Sequence, residues 1–370
     1  MTPNFQQRRS SLIHILKKNG LGAAAFVPGP NFYFLTGLKF SLMERPTLMF
    51  VTDSGDVLAI MPELEREMWS AAMGGATTFY WQDSDGFDKA FSDLAYELGT
   101  TKIGIEGQRM RAFESNALGA VFGSDTIIDA QAELAKPRLL KSDYEVKLIE
   151  KAIEISEISL SETLENIEAG MTEIAIRAIL MQRMLANGAD GFAFEIIVLT
   201  GGNAAKPHGI PGDTQLRPGA PLLIDFGATY QGYSADITRT VFCEHITDEH
   251  AEIYEAVLAA NIAGRQMAAP AITCHEIDVK VSNTLRKTGF DDLVVHKTGH
   301  GLGLDVHEAP NVMINNHTPL ESGMLITIEP GLYRSNDIGV RIEDDVLITD
   351  NDCRSLTKFK RSPIILRSAK

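Results

Sequence analysis

Four carboxylates and one imidazole in the second half of the chain are of the types that bind divalent metal ions. They are Asp225, Asp236, His300, Glu329 and Glu343. Burying an uncompensated charge costs several kcal/mol or more, so this set fits an apolar core poorly. A pair of cations would compensate the negative charge and make the five residues one site. The sequence therefore predicts a centre that holds two divalent metal ions.

The two aspartates fall on a predicted hairpin. Apolar residues over 222–228 and 233–241 predict two buried strands. A turn centred on residues 230–231 would make Asp225 and Asp236 direct cross-strand partners, with Cβ atoms about 4.5–5.5 Å apart. Like charges directly opposed destabilise such a pair, and a bridging metal removes that objection. The alternative is one aspartate in a turn and one exposed on a strand. The position of both inside predicted buried strands favours the metal site.

The two glutamates repeat this arrangement. Residues 324–329 and 339–348 predict two strands joined by a polar loop. A loop centred on Asn336 places Glu329 opposite Glu343. The alternative for the acidic run that begins at Glu343 is a solvent-exposed charge cluster. Its apolar flanks and the mirrored spacing favour a second acidic hairpin that meets the first around a histidine.

Three histidines are candidates for the chemistry. His300 lies between Gly299 and Gly301, and these glycines would let the backbone approach a bound ion or substrate closely. His307 follows seven residues later, and His208 stands in the segment Lys-Pro-His-Gly. The spacing assigns neither of these two a partner. As groups that titrate near neutral pH, they could orient a substrate carbonyl or share a proton.

The elements that must position these residues form two domains, as expected for 370 residues. The first half alternates helices and strands, which predicts an α/β domain with a mixed sheet. It lacks a dinucleotide-binding fingerprint and carries no recognisable chemistry. The predicted helices cover 6–19, 63–73, 86–98 and 110–121, and the predicted strands cover 23–27, 46–52, 57–61, 77–81, 102–106 and 125–129.

The boundary between the domains is marked by a connector and a helix start. Pro137 predicts an extended connector. Ser142 then precedes Glu145 by three residues, a capping box that opens a helix running to about Ile167. We therefore expect an N-terminal α/β domain over 1–137 and a catalytic domain over 138–370.

Composition excludes several classes of function. A formal net charge of −15 would repel nucleic acid and an anionic membrane, so neither is expected as a partner. No apolar run approaches the roughly 18–20 residues needed to span a bilayer, and no secretory signal follows the N-terminus. Three widely spaced cysteines indicate a reducing compartment and form no zinc motif. The expected location is the cytoplasm.

With these residues the chain resembles the metallopeptidases of the pita-bread fold, which include Xaa-Pro dipeptidase (prolidase), aminopeptidase P and methionine aminopeptidase. The resemblance rests on the segments 225–228, 232–240, 299–310, 328–333 and 339–344. It implies a creatinase/prolidase-type N-terminal domain followed by an α+β pita-bread (creatinase/aminopeptidase-like) catalytic domain. An N-terminal domain favours the Xaa-Pro branch over the methionine branch. Ala235 is a small departure, because serine commonly precedes the second aspartate in this family.

The resemblance also implies the roles of the metal ligands. Asp225 would bind one metal, and Asp236 and Glu343 would bridge both. His300 and Glu329 would complete the shell of one ion. Two Mn²⁺ ions are expected per chain, although Co²⁺, Fe²⁺ or Zn²⁺ could occupy the same ligands.

Further roles come from the same resemblance. A water between the ions would be the nucleophile, and Glu329 would carry its proton to the leaving amine. His208 and His307 would contact the substrate carbonyl and stabilise the tetrahedral intermediate. Arg341 would orient a carboxylate ligand.

The function implied is hydrolysis of Xaa-Pro bonds in small peptides with proline at the second position, most simply by a homodimeric Xaa-Pro dipeptidase. Aminopeptidase P, acting on longer peptides, is the first alternative. A metal-dependent hydrolase or lyase of a small non-peptide metabolite and a catalytically silent binding module are the others. A dipeptidase needs a cation to bind the substrate's terminal carboxylate. Arg45, Arg239 and Arg334 are candidates among which the sequence does not choose.

Overall fold

The computed structural model describes residues 3–366, without the side chain of Asp291. The chain divides after Arg138 into two compact units, which we call the N-terminal unit and the C-terminal unit. Within the described residues no helix combines the length and the apolar character needed to cross a membrane.

The N-terminal unit is a mixed sheet flanked by helices. Its helices are α1 (Phe5–Asn19), α2 (Pro30–Thr36), α3 (Arg66–Met73), α4 (Asp88–Leu98), α5 (Ala112–Phe122) and α6 (Gln131–Ala135). Its strands are β1 (Ala23–Phe26), β2 (Leu48–Thr52), β3 (Val57–Pro62), β4 (Thr77–Trp81), β5 (Ile103–Ile105) and β6 (Ile127–Asp129). The strand order is β4-β3-β2-β1-β5-β6, and both parallel and antiparallel pairs occur. The predicted mixed sheet is confirmed, whereas the short helices α2 and α6 were not predicted.

The start of the C-terminal unit is set by local capping. Ser142 and Glu145 form the predicted capping box of α7 (Asp143–Leu164), which ends three residues earlier than expected. The connector was predicted to be extended, but Lys136–Arg138 forms a short 3₁₀-helix. Proline tolerates the first turn of a helix, where its missing N–H has no intrahelical partner, and this explains the difference.

The C-terminal unit combines four sheets with four α-helices in its described part. The helices after α7 are α8 (Glu173–Ala186), α9 (Asp248–Met267) and α10 (Cys274–Arg286). The strands are β7 (Gly191–Phe192), β8 (Ile197–Thr200), β9 (Pro221–Phe226), β10 (Ala228–Tyr230), β11 (Tyr233–Ser234), β12 (Ile237–Cys243), β13 (Gly299–Gly301), β14 (Glu308–Val312), β15 (Leu325–Ile328), β16 (Gly331–Arg334), β17 (Ile338–Arg341), β18 (Asp344–Ile348), β19 (Cys353–Ser355) and β20 (Ile365–Leu366). The sheet orders are β11-β10-β7, β20-β12-β9-β8, β14-β13-β15-β18-β19 and β16-β17.

Two apolar cores hold these layers together. Side chains of α7 and α8 pack with strands β8, β9 and β12 in one core. Side chains of α9 and α10 pack with β15, β17 and β18 in the other. The site residues lie on β9, on β13 and at the ends of the strands around them, so both cores support the site.

Candidate metal centre

The hairpin that carries the aspartates has a different register from the predicted one. Asp225 on β9 lies opposite Thr238, two residues beyond Asp236, so the predicted direct pairing is wrong. The turn is centred on Gln231 and Gly232, whose φ values are 47° and 82°. A two-residue hairpin turn of this kind needs positive φ at both central positions, which glycine adopts without strain. Because the shift is two residues, Asp225 and Asp236 still face the same side of the sheet.

The register predicted for the glutamate segments is confirmed. Ile328 pairs with Asp344, and Gly331 pairs with Arg341, so Glu329 and Glu343 lie opposite each other between the two sets of pairs. The second predicted strand is nevertheless interrupted at Glu343, and the first ends at Ile328, just before Glu329. The Glu329 N–H donates to the carbonyl of Thr298 at 2.8 Å, outside the hairpin. The break therefore brings the glutamate side chains towards the segment that contains His300.

His300 lies on β13, where glycines are required for a reason other than the expected one. A Cβ atom at Gly299 would lie 2.1 Å from the carbonyl oxygen of Thr327, and one at Gly301 would lie 2.2 Å from that of Ala309. Neighbouring backbone, and not a ligand, occupies the space that these glycines leave. The prediction that they accommodate an ion or substrate is wrong.

The imidazole of His300 is oriented towards the carboxylates. Its Nδ1 lies 3.0 Å from the carbonyl oxygen of Gly301 and donates to it, so Nε2 carries the free lone pair. That Nε2 lies 3.4 Å from Glu329 Oε1 and 3.6 Å from Asp236 Oδ2. Burial is the main cause that lowers the pKa of His300 to about 3. A neutral imidazole with a free Nε2 is the form that binds a metal.

The five predicted ligands come together in overlapping groups. In each group, one ligand atom per residue lies within 4.8 Å of the others: Asp225 with Asp236 and Glu343, His300 with Glu329 and Glu343, and Asp236 with His300 and His307. Asp236, His300 and Glu343 each belong to two groups, so the three groups form one connected cluster. All five residues are buried except Glu329, whose side chain is 15% exposed.

The electrostatics of this cluster fit bound cations. Asp225 Oδ1 is buried and has no hydrogen-bond partner. Burial and then the neighbouring carboxylates raise the pKa of Asp236 and of Glu343 well above the ordinary values. Burial also raises the pKa of Glu329 to about 7. Ionised carboxylates at this density need positive charge between them, and oxygen-rich sets with one imidazole suit divalent metals.

Arg341 on β17 is bonded to one carboxylate of the cluster and to two neighbouring hydroxyls. Its guanidinium forms an ion pair with Asp225 Oδ2 and donates to the hydroxyls of Thr238 and Tyr333, at 3.0 and 2.7 Å. Thr238 in turn donates to Glu343 Oε2 at 2.7 Å. Two carboxylates of the cluster are therefore held in position by one arginine and one threonine.

A fourth histidine, His296, lies at the site and was not among the predicted residues. Its Nε2 lies 2.8 Å from the hydroxyl of Tyr333, which therefore links His296 to Arg341. Its Nδ1 lies 4.0 Å from Glu329 Oε2. Burial, followed by the charge of Arg341, lowers the pKa of His296 to about 4. The only sequence signal is that it precedes His300 by four residues, which is a weak one.

The other two predicted histidines lie beside this group. The ring of His307 packs edge-on against that of His300, with centroids 4.3 Å apart. Burial, followed by the charge of Lys297, lowers the pKa of His307. His208 is exposed in the loop between β8 and β9, and its charge is near enough to contribute to the lowered pKa of His296 and His307. The imidazoles of His296, His300 and His307 thus lie near carboxylates of the cluster.

The three arginines considered for a substrate carboxylate are all engaged. Arg239 is 1% exposed and is bound to Asp344 and to main-chain carbonyls, so it is a structural residue. Arg45 pairs with Asp83 and Glu44 in the N-terminal unit.

Arg334 pairs with Glu249 and Asp337 at the end of β16. Lys297 is a further cation near the histidines, since its charge acts to lower the pKa of His296, His307 and Glu329.

Comparison with known proteins gives a consistent family. Residues 147–350 match the model of metallopeptidase family M24, and residues 8–140 match the creatinase/prolidase N-terminal domain. The Xaa-Pro dipeptidase of Pyrococcus horikoshii is 34% identical over 362 residues, which cover 97% of this chain and 99% of that protein. A prolidase structure from Thermococcus sibiricus has a TM-score of 0.94 and 31% identity and covers 99% of this chain and all of that one.

An X-Pro aminopeptidase structure from Thermotoga maritima has a TM-score of 0.84 and 30% identity, with 96% of this chain and 99% of that one covered. The predicted fold class, an α/β N-terminal domain followed by a pita-bread catalytic domain, is confirmed. The chain belongs to metallopeptidase family M24.

Proposed function

We propose that this protein is a dinuclear-metal Xaa-Pro dipeptidase. The observation that supports this most directly is the complete donor set, whose atoms lie within 4.8 Å in each group. The set occurs in a chain that is similar along 97% of its length to an Xaa-Pro dipeptidase. A silent binding module would have no use for so many buried ionisable groups, whose burial without cations is costly.

The chemistry divides between the metals and the side chains. Two divalent cations held by Asp225, Asp236, His300, Glu329 and Glu343, with Mn²⁺ preferred, would activate a water molecule and polarise the scissile carbonyl. Glu329 would accept a proton from that water and return it to the leaving amine. His208 and His307 would orient the carbonyl, and the neutral ring of His296 stands beside Glu329.

The test is reconstitution of metal-free protein with Mn²⁺, Co²⁺, Fe²⁺ or Zn²⁺, followed by assays on Ala-Pro, Ala-Ala and Ala-Pro-Ala. We expect Ala-Pro to be cleaved well and Ala-Ala poorly. Glu343→Gln should lose metal and activity together, while exposed Glu165→Gln should keep both. Preferred turnover of Ala-Pro-Ala would establish aminopeptidase P instead. Metal binding without peptide turnover would favour a metabolite hydrolase or lyase, and neither metal nor turnover would favour a binding module.

Lys297 is the group we propose for the substrate's terminal carboxylate. It is half-buried, adjoins His296, and its ammonium donates to Asn311 Oδ1. A charge-assisted hydrogen bond is worth about 1.5–3 kcal/mol, so Lys297→Met should raise KM for Ala-Pro at least about tenfold. KM for Ala-Pro amide should not change, and Lys297→Arg should restore most of the binding of Ala-Pro. Equal effects of Lys297→Met on both substrates would contradict this role.

We also propose that the protein is a homodimer, as the resemblance implies, and that it is cytoplasmic, because its three widely spaced cysteines indicate a reducing compartment. Light scattering of the metal-loaded protein and fractionation of cells that express it test the two parts separately. A monomer in scattering or recovery in a membrane fraction would contradict them.

A further inference from the structure

The loop that carries His208 is a long irregular segment. It runs from the end of β8 at Thr200 to the start of β9 at Pro221, and only Gly201–Ala205 within it is helical. One side of the loop packs against the β16–β17 hairpin, since a Cβ atom at Gly339 would lie 1.8 Å from the carbonyl oxygen of Ala204. His208 itself is exposed, so contacts elsewhere in the loop must fix its position.

A fully buried glutamate, Glu173, bonds to both limbs of this loop. It lies in the first turn of α8 and is 0% exposed. Its Oε1 accepts the N–H of Thr200 at 2.8 Å, where the loop leaves β8. Its Oε2 accepts the N–H of Gly212 at 2.9 Å, on the returning limb. The amide of Asn203 donates to the same carboxylate at 3.2 Å.

The backbone at the start of α8 reinforces these contacts. The N–H groups of Glu173 and Ile174 donate to the carbonyls of Thr214 and Gly212, at 3.1 and 3.2 Å. These are first-turn N–H groups without a partner inside the helix. A carboxylate at this end of a helix is also favoured by the helix dipole. The N-terminus of α8 therefore binds the backbone at residues 212–214, and the Glu173 side chain links this part of the loop to Thr200, where the loop begins.

We propose that Glu173 is a positioning residue that fixes the loop 200–212 and thereby the position of His208, which this loop carries. This inference rests on the proposed function for the role of His208, but the contacts of Glu173 are independent of it. Glutamine is the informative replacement, because it keeps the size of the side chain. A glutamine side chain has only one oxygen acceptor. Its NH₂ group would therefore face one of the two backbone N–H groups that now donate to the carboxylate.

The first measurement is amide hydrogen exchange of Thr200 and Gly212 in metal-loaded protein without substrate. Loss of a charge-assisted hydrogen bond should speed their exchange by about tenfold or more in Glu173→Gln. The matched control is Glu114→Gln, which alters another fully buried glutamate, paired with Arg111 in the N-terminal unit. It should leave exchange over 200–212 unchanged. Unaltered exchange in Glu173→Gln would overturn the proposal, whether or not the protein cleaves Xaa-Pro peptides.

The second measurement separates positioning from general destabilisation. Glu173→Gln should lower kcat/KM for Ala-Pro by about tenfold in the wild-type background and by less than about twofold in the His208→Ala background. If Glu173→Gln lowers kcat/KM by the same factor in both backgrounds, Glu173 acts independently of His208. That result would overturn the positioning role. If Glu173→Gln does not fold, Asn203→Ala replaces it, because this change removes one donor to the same carboxylate. The amide exchange and the kcat/KM measurements are then made with Asn203→Ala. A wild-type protein inactive on Xaa-Pro substrates would refute the proposed function alone, because the exchange experiment would still decide the contact.

Discussion

A substitution of Arg239 separates a structural role from a substrate-binding role, because the sequence leaves this residue among the candidates for binding the substrate carboxylate. Its guanidinium is buried and donates to Asp344 Oδ1 at 2.8 Å and to the carbonyls of Glu343, Thr238, Lys360 and Phe359 at 2.6–3.0 Å. These contacts lock the backbone at Glu343 to β12. We expect Arg239→Met to destabilise the protein with no selective effect on the substrate carboxylate.

The magnitude follows from the groups that remain. Breaking a buried ion pair by removing one partner costs about 3–5 kcal/mol, because the other charge is left unpaired. Here Asp344 Oδ2 still accepts from Arg361 at 2.7 Å and from Asn261 at 3.0 Å, and Arg265 lies 3.4 Å away. The remaining cations compensate most of the charge, so the lower end, about 3 kcal/mol, is expected.

The assay is urea denaturation followed by hydrogen exchange of peptides from β12 and β18. Both tryptophans, Trp69 and Trp81, lie in the N-terminal unit, so their fluorescence does not report on this region. The matched control is Arg334→Met, whose exposed ion pairs should contribute less than about 1 kcal/mol. Arg239→Met should change KM for Ala-Pro and for Ala-Pro amide by the same factor. Native-like stability with a KM increase confined to Ala-Pro would refute the reasoning.

Two further predictions concern the site itself. In metal-free protein, burial raises the pKa of Glu329 from 4.5 to about 7, so the folded state binds the proton more tightly than the unfolded state does. Its contribution to stability is therefore present below pH 4.5 and is lost as the pH rises to 7. The difference of about 2.5 pH units, at about 1.4 kcal/mol per unit, sets the size of this loss. In urea titrations of protein freed of metal by a chelator, the unfolding free energy of Glu329→Gln should therefore exceed that of wild type by about 3 kcal/mol at pH 8 and by about 1 kcal/mol at pH 5. A difference that does not depend on pH would contradict this. Tyr333→Phe leaves the Arg341 guanidinium and His296 Nε2 without the hydroxyl that both contact. The change should therefore cost about 1–3 kcal/mol of stability and lower kcat, with the metal content unchanged. Loss of metal, measured by atomic absorption, would show instead that Tyr333 holds the metal ligands in place.

Several features of the fold were predictable because they depend on neighbouring residues. The Ser142–Glu145 capping box is a contact three residues apart, and it starts α7 as expected. The glutamate register follows from strand alternation about a polar loop, and the pairing of Ile328 with Asp344 confirms it. The aspartate register was wrong by two residues, because the turn formed where glycine could supply positive φ.

Other features depend on contacts that no local pattern contains. His296 joins the site through Tyr333, 37 residues away, and Arg341 reaches Asp225 across 116 residues. The glycines beside His300 are required by the backbone of Thr327 and Ala309, which the spacing of the motif does not specify. Sequence periodicity states which face of a strand a side chain occupies, but not which strand will lie against that face.

The sequence alone determined the identity of the five metal-binding candidates. It also determined that the two aspartates share one face of their hairpin and the two glutamates one face of theirs, because side-chain alternation has a fixed period of two. Only the tertiary structure decided that strands from separate sheets bring these five within 4.8 Å of one another in overlapping groups. It also decided that Arg239 is buried beneath the site while Lys297 stands beside its histidines. The physical reason is that the arrangement of the sheets is fixed by the packing of two apolar cores, and that packing joins residues far apart in the chain.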